Sequence, residues 1–185
     1  MFKIPAKDLE WQITTPQVMG ILNLTPDSFY EASRHSNIDS AIAQAHLFIQ
    51  EGASIIDIGA QSTRPGAHME GAEIEIQRLE QIIGYRPHSN RQHFLLMSLP
   101  NTYLQLLKAG ITHDYTMGYA EETGFRAGTA RTFKWFDLRK NEVTHLNIHP
   151  FVYMDGTLLE YLKFTPEAAK LRIEELYGQV KKHGG

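Results

Sequence analysis

Two short apolar runs, Val18–Leu22 and Ser54–Ile58, each break off into a polar loop, with one amphipathic segment between them. This strand–helix–strand order dictates a parallel pair, because a chain that crosses a sheet through a helix returns in the same direction. The first run is apolar except for Gly20, as suits a strand covered on both faces. The loop after it offers Asn23, Thr25, Asp27 and Ser28 within six residues, and the loop after the second offers Ser62, Thr63 and Arg64. Loops at the carboxyl ends of parallel strands are where α/β proteins place ligand chemistry.

The alternation continues along the chain. Helical periodicity over Asp39–Gln50 puts Ile38, Ile42, Ala45 and Ile49 on one face, with Gly52 as the stop. A second helix is expected over Ala72–Ile83, with Ile76, Leu79 and Ile83 inward and Gly84 ending it. Phe94–Met97 reads as a strand, Asn101–Ala109 as a helix stopped by Gly110, and Asp114–Met117 and Val143–Ile148 as further strands. Residues 118–131 read as loop. Thr165 caps a last helix with Pro166 at its first position and Ala169, Ile173, Leu176 and Val180 as its buried stripe. The fold expected is α/β, a partial or hybrid (βα) barrel-like parallel sheet of about five strands. A closed eightfold barrel typically needs ~250 residues, and this chain has 185.

Composition excludes several function classes. A net charge of −3 argues against a nucleic-acid or anionic-membrane surface. There is no cysteine, so disulfides and thiolate metal sites are ruled out. No apolar run reaches the ~18 residues of a membrane span. The N-terminus lacks an apolar signal core, so a cytoplasmic protein is expected. A parallel sheet that fails to close has edges to cover, which favours a homodimer.

The residue types in the two loops suit an anion and a hard cation. The Asn23 amide oxygen is a neutral acceptor fit for Mg²⁺ that keeps most of its waters. Thr25, Asp27 and Ser28 add hydroxyls and a carboxylate, although Thr-Pro-Asp-Ser is also good turn chemistry by itself. Asp57 stands between Ile56 and Ile58, where a buried carboxylate needs a partner. Arg64 offers a planar fork for a pyrophosphate or carboxylate.

Over roughly residues 16–80 the Val-Met-Gly-Ile-Leu-Asn-Leu-Thr-Pro-Asp-Ser-Phe and Asp-Ile-Gly-Ala-Gln-Ser-Thr-Arg-Pro-Gly runs resemble dihydropteroate synthase, the folate-pathway enzyme. The resemblance implies that Asn23, with Thr25, Asp27 and Ser28, serves the metal and pyrophosphate end of the site. It implies that Asp57 lies near the pterin. Ser62, Thr63 and Arg64 would contribute to catalysis and to binding p-aminobenzoate. The implied reaction displaces pyrophosphate from hydroxymethyl-dihydropterin pyrophosphate by the arylamine of p-aminobenzoate, with Mg²⁺ as cofactor. Glu31 and Gln61 are small departures from the family pattern. The larger departure is that the family's later pterin and pyrophosphate ligands find no match after residue 84.

From about Ile74 the chain resembles instead the C-terminal part of a bacterial polysaccharide-deacetylase-like family. The matching stretches include Asn90–Leu95, Asp114–Tyr119, Gly124–Thr129, His149–Phe151 and Met154–Leu158. This second resemblance implies that Arg126 orients a catalytic base and places Asp155 in a family motif. The metal triad of such deacetylases belongs to a half that this sequence does not show. His145 and His149 form a His-x₃-His pair, but in a strand pattern that separates them by ~13 Å, too far for one ion. Residues 1–80 are therefore expected to form dihydropteroate-synthase-like βα units and residues 81–185 a deacetylase-like segment, packed as one domain. The leading expectation is a truncated, fused dihydropteroate-synthase-like protein of weak or no activity. A deacetylase remnant and a chimera without native function are the alternatives.

Overall fold

The computed structural model describes residues 2–6, 9–13, 15, 17–24, 34–59 and 72–183. The chain forms two compact units, residues 1–87 and 88–185. Thr25, Asp27, Ser28, Ser62, Thr63 and Arg64 lie outside the described residues.

The first unit opens with an antiparallel pair, β1 (Phe2–Ala6) and β2 (Leu9–Ile13), in register from Phe2 opposite Ile13 to Ala6 opposite Leu9. A parallel pair follows, β3 (Met19–Asn23) with β4 (Ile55–Gly59), joined through helix α1 (Arg34–Gln50). Helix α2 (Ala72–Ile83) packs against α1. The strands start and end within one residue of the expected positions, and α2 has the expected bounds. Helix α1 begins five residues before Asp39, at Arg34. Of its expected inward stripe Ile38, Ile42 and Ala45 are half-buried, whereas Ile49 is 56% exposed. Ala41, fully buried, and Phe48, half-buried, join that face, and a Cβ at Gly20 would come within 2.8 Å of the Phe48 ring. The missing side chain lets α1 settle close on β3 through that ring. The helix ends where Gly52, at φ +103°, turns the chain, with Gly52 N–H donating to the Ile49 carbonyl and Ala53 N–H to the Phe48 carbonyl.

The second unit holds a four-stranded sheet in the order β5-β6-β8-β7. It consists of β5 (Ser89–Asn90), β6 (His113–Asp114), β7 (Phe133–Asp137) and β8 (Glu142–Ile148). The strands β5, β6 and β8 run parallel, and β7 is antiparallel on the edge. Helix α3 (Asn101–Lys108) buries Tyr103 and Leu106 against Leu146 and Ile148 of β8, with Ile111 and Met117 completing the core. Gly110, at φ +80°, ends α3 as expected, and the next N–H, of Ile111, returns to the Leu106 carbonyl. Helix α4 (Pro166–His183) is capped by the Thr165 hydroxyl, which accepts from Ala168 N–H at 3.3 Å. It buries Ala169 and Leu176 from the expected stripe.

The expectation of one parallel sheet of about five strands is corrected on one point, since the described strands form three separate sheets. No closed barrel is among them. The parallel α/β character itself holds. Phe94–Met97 is not a strand, because Phe94 and Leu95 sit at φ +54° and +53° in a short 3₁₀ turn, His93–Leu95. Only Leu95 of that run is buried, while Phe94 and Leu96 face solvent. The strand β7 is not plain in the sequence because its last two residues reverse the usual polarity, Phe136 being exposed and Asp137 buried, although burial alternates along the whole strand. Phe133 and Trp135 pack on the core, whereas Phe136 is exposed.

Candidate functional site

In the first unit the site is built on backbone register. The pairing runs from Met19 opposite Ile55 to Asn23 opposite Gly59, and Leu24 N–H donates to the Gly59 carbonyl at 2.6 Å. The two polar loops therefore leave neighbouring carboxyl tips of one parallel pair, about 4.8 Å apart. Asn23 is the last residue of its strand, and Gly59 beside it carries no side chain. Asp57 lies opposite Ile21, and both are exposed. Gly20 and Leu22 point the other way, with Gly20 against Phe48 of α1. Asp57 thus stands on the face turned away from α1. The expected burial of its carboxylate is corrected, since that face is open.

The second unit gathers polar groups at the carboxyl tips of β5, β6 and β8. Asp114 is fully buried. Its carboxylate accepts from Asn90 Nδ2 at 3.0 Å, from Thr116 N–H at 3.1 Å and from the Thr116 hydroxyl at 2.6 Å. Burial raises its pKa above the ordinary carboxylate range, against the lowering effect of these donors. Burial, then the Asp114 charge, also raises the Tyr103 phenol. With its acceptor capacity taken up by β5 and by its own loop, Asp114 holds strand tips together. Arg126, half-buried, donates to the Gly118 carbonyl at 3.0 Å and to the Leu95 carbonyl at 3.5 Å. Arg91 lies over the Phe151 ring at 4.7 Å. Asp155 is exposed.

On the opposite face of this sheet His113 Nδ1 meets His149 Nε2 at 2.8 Å, and the Thr132 hydroxyl meets His149 Nδ1 at 3.0 Å. Tyr115 stacks on the His149 ring at 4.4 Å. Burial, then His113, lowers the His149 pKa to about 4, and burial, then His88, lowers that of His113. The sequence does not show this pair, because His145 is the near neighbour of His149 along the chain whereas its partner, His113, comes from the neighbouring strand. A polar residue at each parallel tip was the signal available.

The family profile described as pterin binding enzyme matches residues 19–116. This chain belongs to the pterin-binding enzyme family. The mitochondrial folate synthesis bifunctional protein of Pisum sativum is 55% identical over 179 residues, covering 94% of this chain and 33% of that protein. The dihydropteroate synthase of Escherichia coli K12 is 43% identical over 81 residues, 44% of this chain and 29% of that one. Among solved structures, the 7,8-dihydropteroate synthase of Vibrio fischeri is 25% identical over 67% of this chain and 53% of that chain, with a TM-score of 0.46. The chain thus spans about a third of the length of the curated relatives named here. None of these comparisons supports the deacetylase-like expectation for residues 74–185, and the pterin-binding profile itself extends into that span, to residue 116. Among the described residues no helix is long and apolar enough to cross a membrane.

Proposed function

We propose that this chain is a dihydropteroate-synthase-like protein that binds hydroxymethyl-dihydropterin pyrophosphate and p-aminobenzoate at the tips of β3 and β4 and condenses them feebly. The observation that supports the reading is the in-register pairing of Asn23 with Gly59 inside the matched family span, which sets the two strand ends side by side. Arg64 would grip the pyrophosphate through its guanidinium, with Ser62, Thr25 and Ser28 donating to the remaining oxygens. Thr63 would orient the arylamine, and Asp57 would accept from the pterin. In the reaction the amine nitrogen forms a bond to the pterin methylene carbon. The carbon–oxygen bond breaks, pyrophosphate leaves and the amine loses a proton.

The residue types suit Mg²⁺, since Asn23 offers an amide oxygen and ends β3 opposite Gly59, a residue with no side chain. Asn23 and Asp27 would hold it together with pyrophosphate oxygens and water. When bound, it would supply charge compensation for the leaving group. In this reading β3 and β4 are the first strands of a barrel-like sheet, and a second copy of the chain covers its edges. Feeble activity is the expected outcome because catalysis of this kind rests on positioning and charge stabilisation by several strand tips together. A cytoplasmic setting is part of the proposal, and a fluorescent fusion separates it from the mitochondrial setting that the pea relative's name gives for that protein.

The test is pyrophosphate release from the pterin substrate in the presence of p-aminobenzoate. Slow release that is lost in Arg64→Ala is expected. Release unaffected by that change, or wild-type protein that neither binds nor turns over the pterin pyrophosphate, would contradict the reading.

A further inference from the structure

We propose that the second unit binds a phosphate monoester with a flat apolar body, in the cleft between loop 124–131 and the last turns of α4. The cleft lies wholly within that unit and shares no residue with the tips of β3 and β4.

Its volume is about 670 Å³, within the range of roughly 300–1,000 Å³ that small-molecule sites occupy. Phe125 and Ala130 of the loop and Val180 of the helix give it a half-buried apolar lining. Arg131 of the loop and Lys182 and His183 of the helix line it as well. Glu175 is the one acid among the described lining residues, and its charge is already met. Arg172, from outside the cleft, donates to its Oε2 at 2.6 Å, and Gln179 Nε2 donates to its Oε1 at 3.4 Å. The wall therefore carries net positive charge. Cations in the last turn of a helix also offset its partial negative end. That accounts for Lys182 and His183 alone, but Arg131 belongs to the loop and falls outside it.

Gly178 is the independent sign of a ligand. A glycine inside a helix is less stable than an alanine there. Nothing within the molecule calls for one, since its φ is not positive and a Cβ built on it would meet no atom within 4 Å. What the glycine leaves is bare helix backbone on the cleft wall, over which a ligand can lie close. The opposite wall is preformed. Gly128 N–H donates to the Phe125 carbonyl at 2.8 Å in a turn at φ +71°, and Arg131 N–H donates to the Thr129 hydroxyl at 3.0 Å. Arg172 Nε donates to the Thr123 hydroxyl at 2.8 Å and ties α4 to the residue before the loop. Two cations and a ring N–H suit the double charge and three acceptor oxygens of a phosphate monoester. The Phe125 ring suits a flat apolar body.

Titration of the full chain with phenyl phosphate, read by calorimetry and amide NMR, tests the assignment, with inorganic phosphate and phenol as the two half-ligands. One phenyl phosphate per chain is expected, with shifts at Phe125, Ala130, Gly178 and Val180 and weaker binding of each half-ligand. Affinity should fall about ten-fold in Arg131→Gln and several-fold in Lys182→Gln, both changes at exposed positions, and should decline as salt is added. Lys170→Gln, on α4 outside the cleft, should leave it as it was. Gly178→Ala should raise Tm, because alanine is the better helix former, while lowering affinity. Four results would each overturn the proposal: no shift in the cleft at saturating phenyl phosphate, shifts confined to Asn23, Leu24 and Gly59, a half-ligand bound as tightly as the monoester, or affinity unchanged in Arg131→Gln.

Discussion

At the scale of single residues the second unit is governed by close contacts between polar groups. Burial and the adjacent imidazole keep His149 neutral down to about pH 4, against an ordinary value of 6.5, and His113 is lowered as well. Between those limits the unfolded chain binds more protons than the folded one, so stability rises with pH. It is complete above about pH 6.5 and is lost as pH falls toward 4. The His149 contribution is on the order of 3 kcal/mol. Asp114, whose pKa is raised, acts in the opposite sense and lessens the loss at the acid end. Urea unfolding should show a lower midpoint at pH 4.5 than at pH 7, and equal midpoints would contradict this account. Gly118 is tight for a different reason. A Cβ there would sit 2.2 Å from the Phe151 ring. Gly118→Ala should cost about 1–3 kcal/mol through overpacking, measured by the same unfolding experiment.

At the scale of elements, local chemistry and tertiary packing can be told apart. The Thr165 cap, Pro166 at the first helical turn and the apolar stripe of α4 were all legible, because each signal is contained within the helix itself. Thr165→Ala removes the 3.3 Å cap to Ala168 and should lower stability by about 1 kcal/mol, visible as a fall in Tm with the helix content unchanged. The parallel pair β3–β4 was legible for the same reason, since each strand is a short apolar run stopped by polar residues. The part that Ala41 and Phe48 play in the inner face of α1 was not, because it depends on the space at Gly20 on another element. Nor was the turn at Phe94–Leu95, whose apolar letters imitate a strand. Its Gln92 N–H goes to the Thr116 hydroxyl at 3.0 Å, so the chain has already left the sheet. The edge strand β7 escaped because its exposed Phe136 and buried Asp137 invert the apolar-in, polar-out pattern at its end.

For the whole molecule, membership of the pterin-binding enzyme family and a pair of strand tips carry the functional reading together. The two neighbouring strand ends, Asn23 and Gly59, were legible to within one residue, because each strand is a short apolar run with a clear stop. The exposure of Asp57 was not, because a carboxylate between two isoleucines looks buried until the face is known to be open. The polar tips of the second unit were unreadable in advance, since Asn90, Asp114 and Thr116 meet only through strand pairing. The central claim is that the β3 and β4 tips receive the pterin pyrophosphate. It is tested most directly by amide NMR of the full chain as hydroxymethyl-dihydropterin pyrophosphate and Mg²⁺ are added. Shifts concentrated at Asn23, Leu24, Asp57 and Gly59, and abolished by Arg64→Ala, are the result predicted. Shifts confined to residues 88–185, or none at saturating ligand, would contradict it.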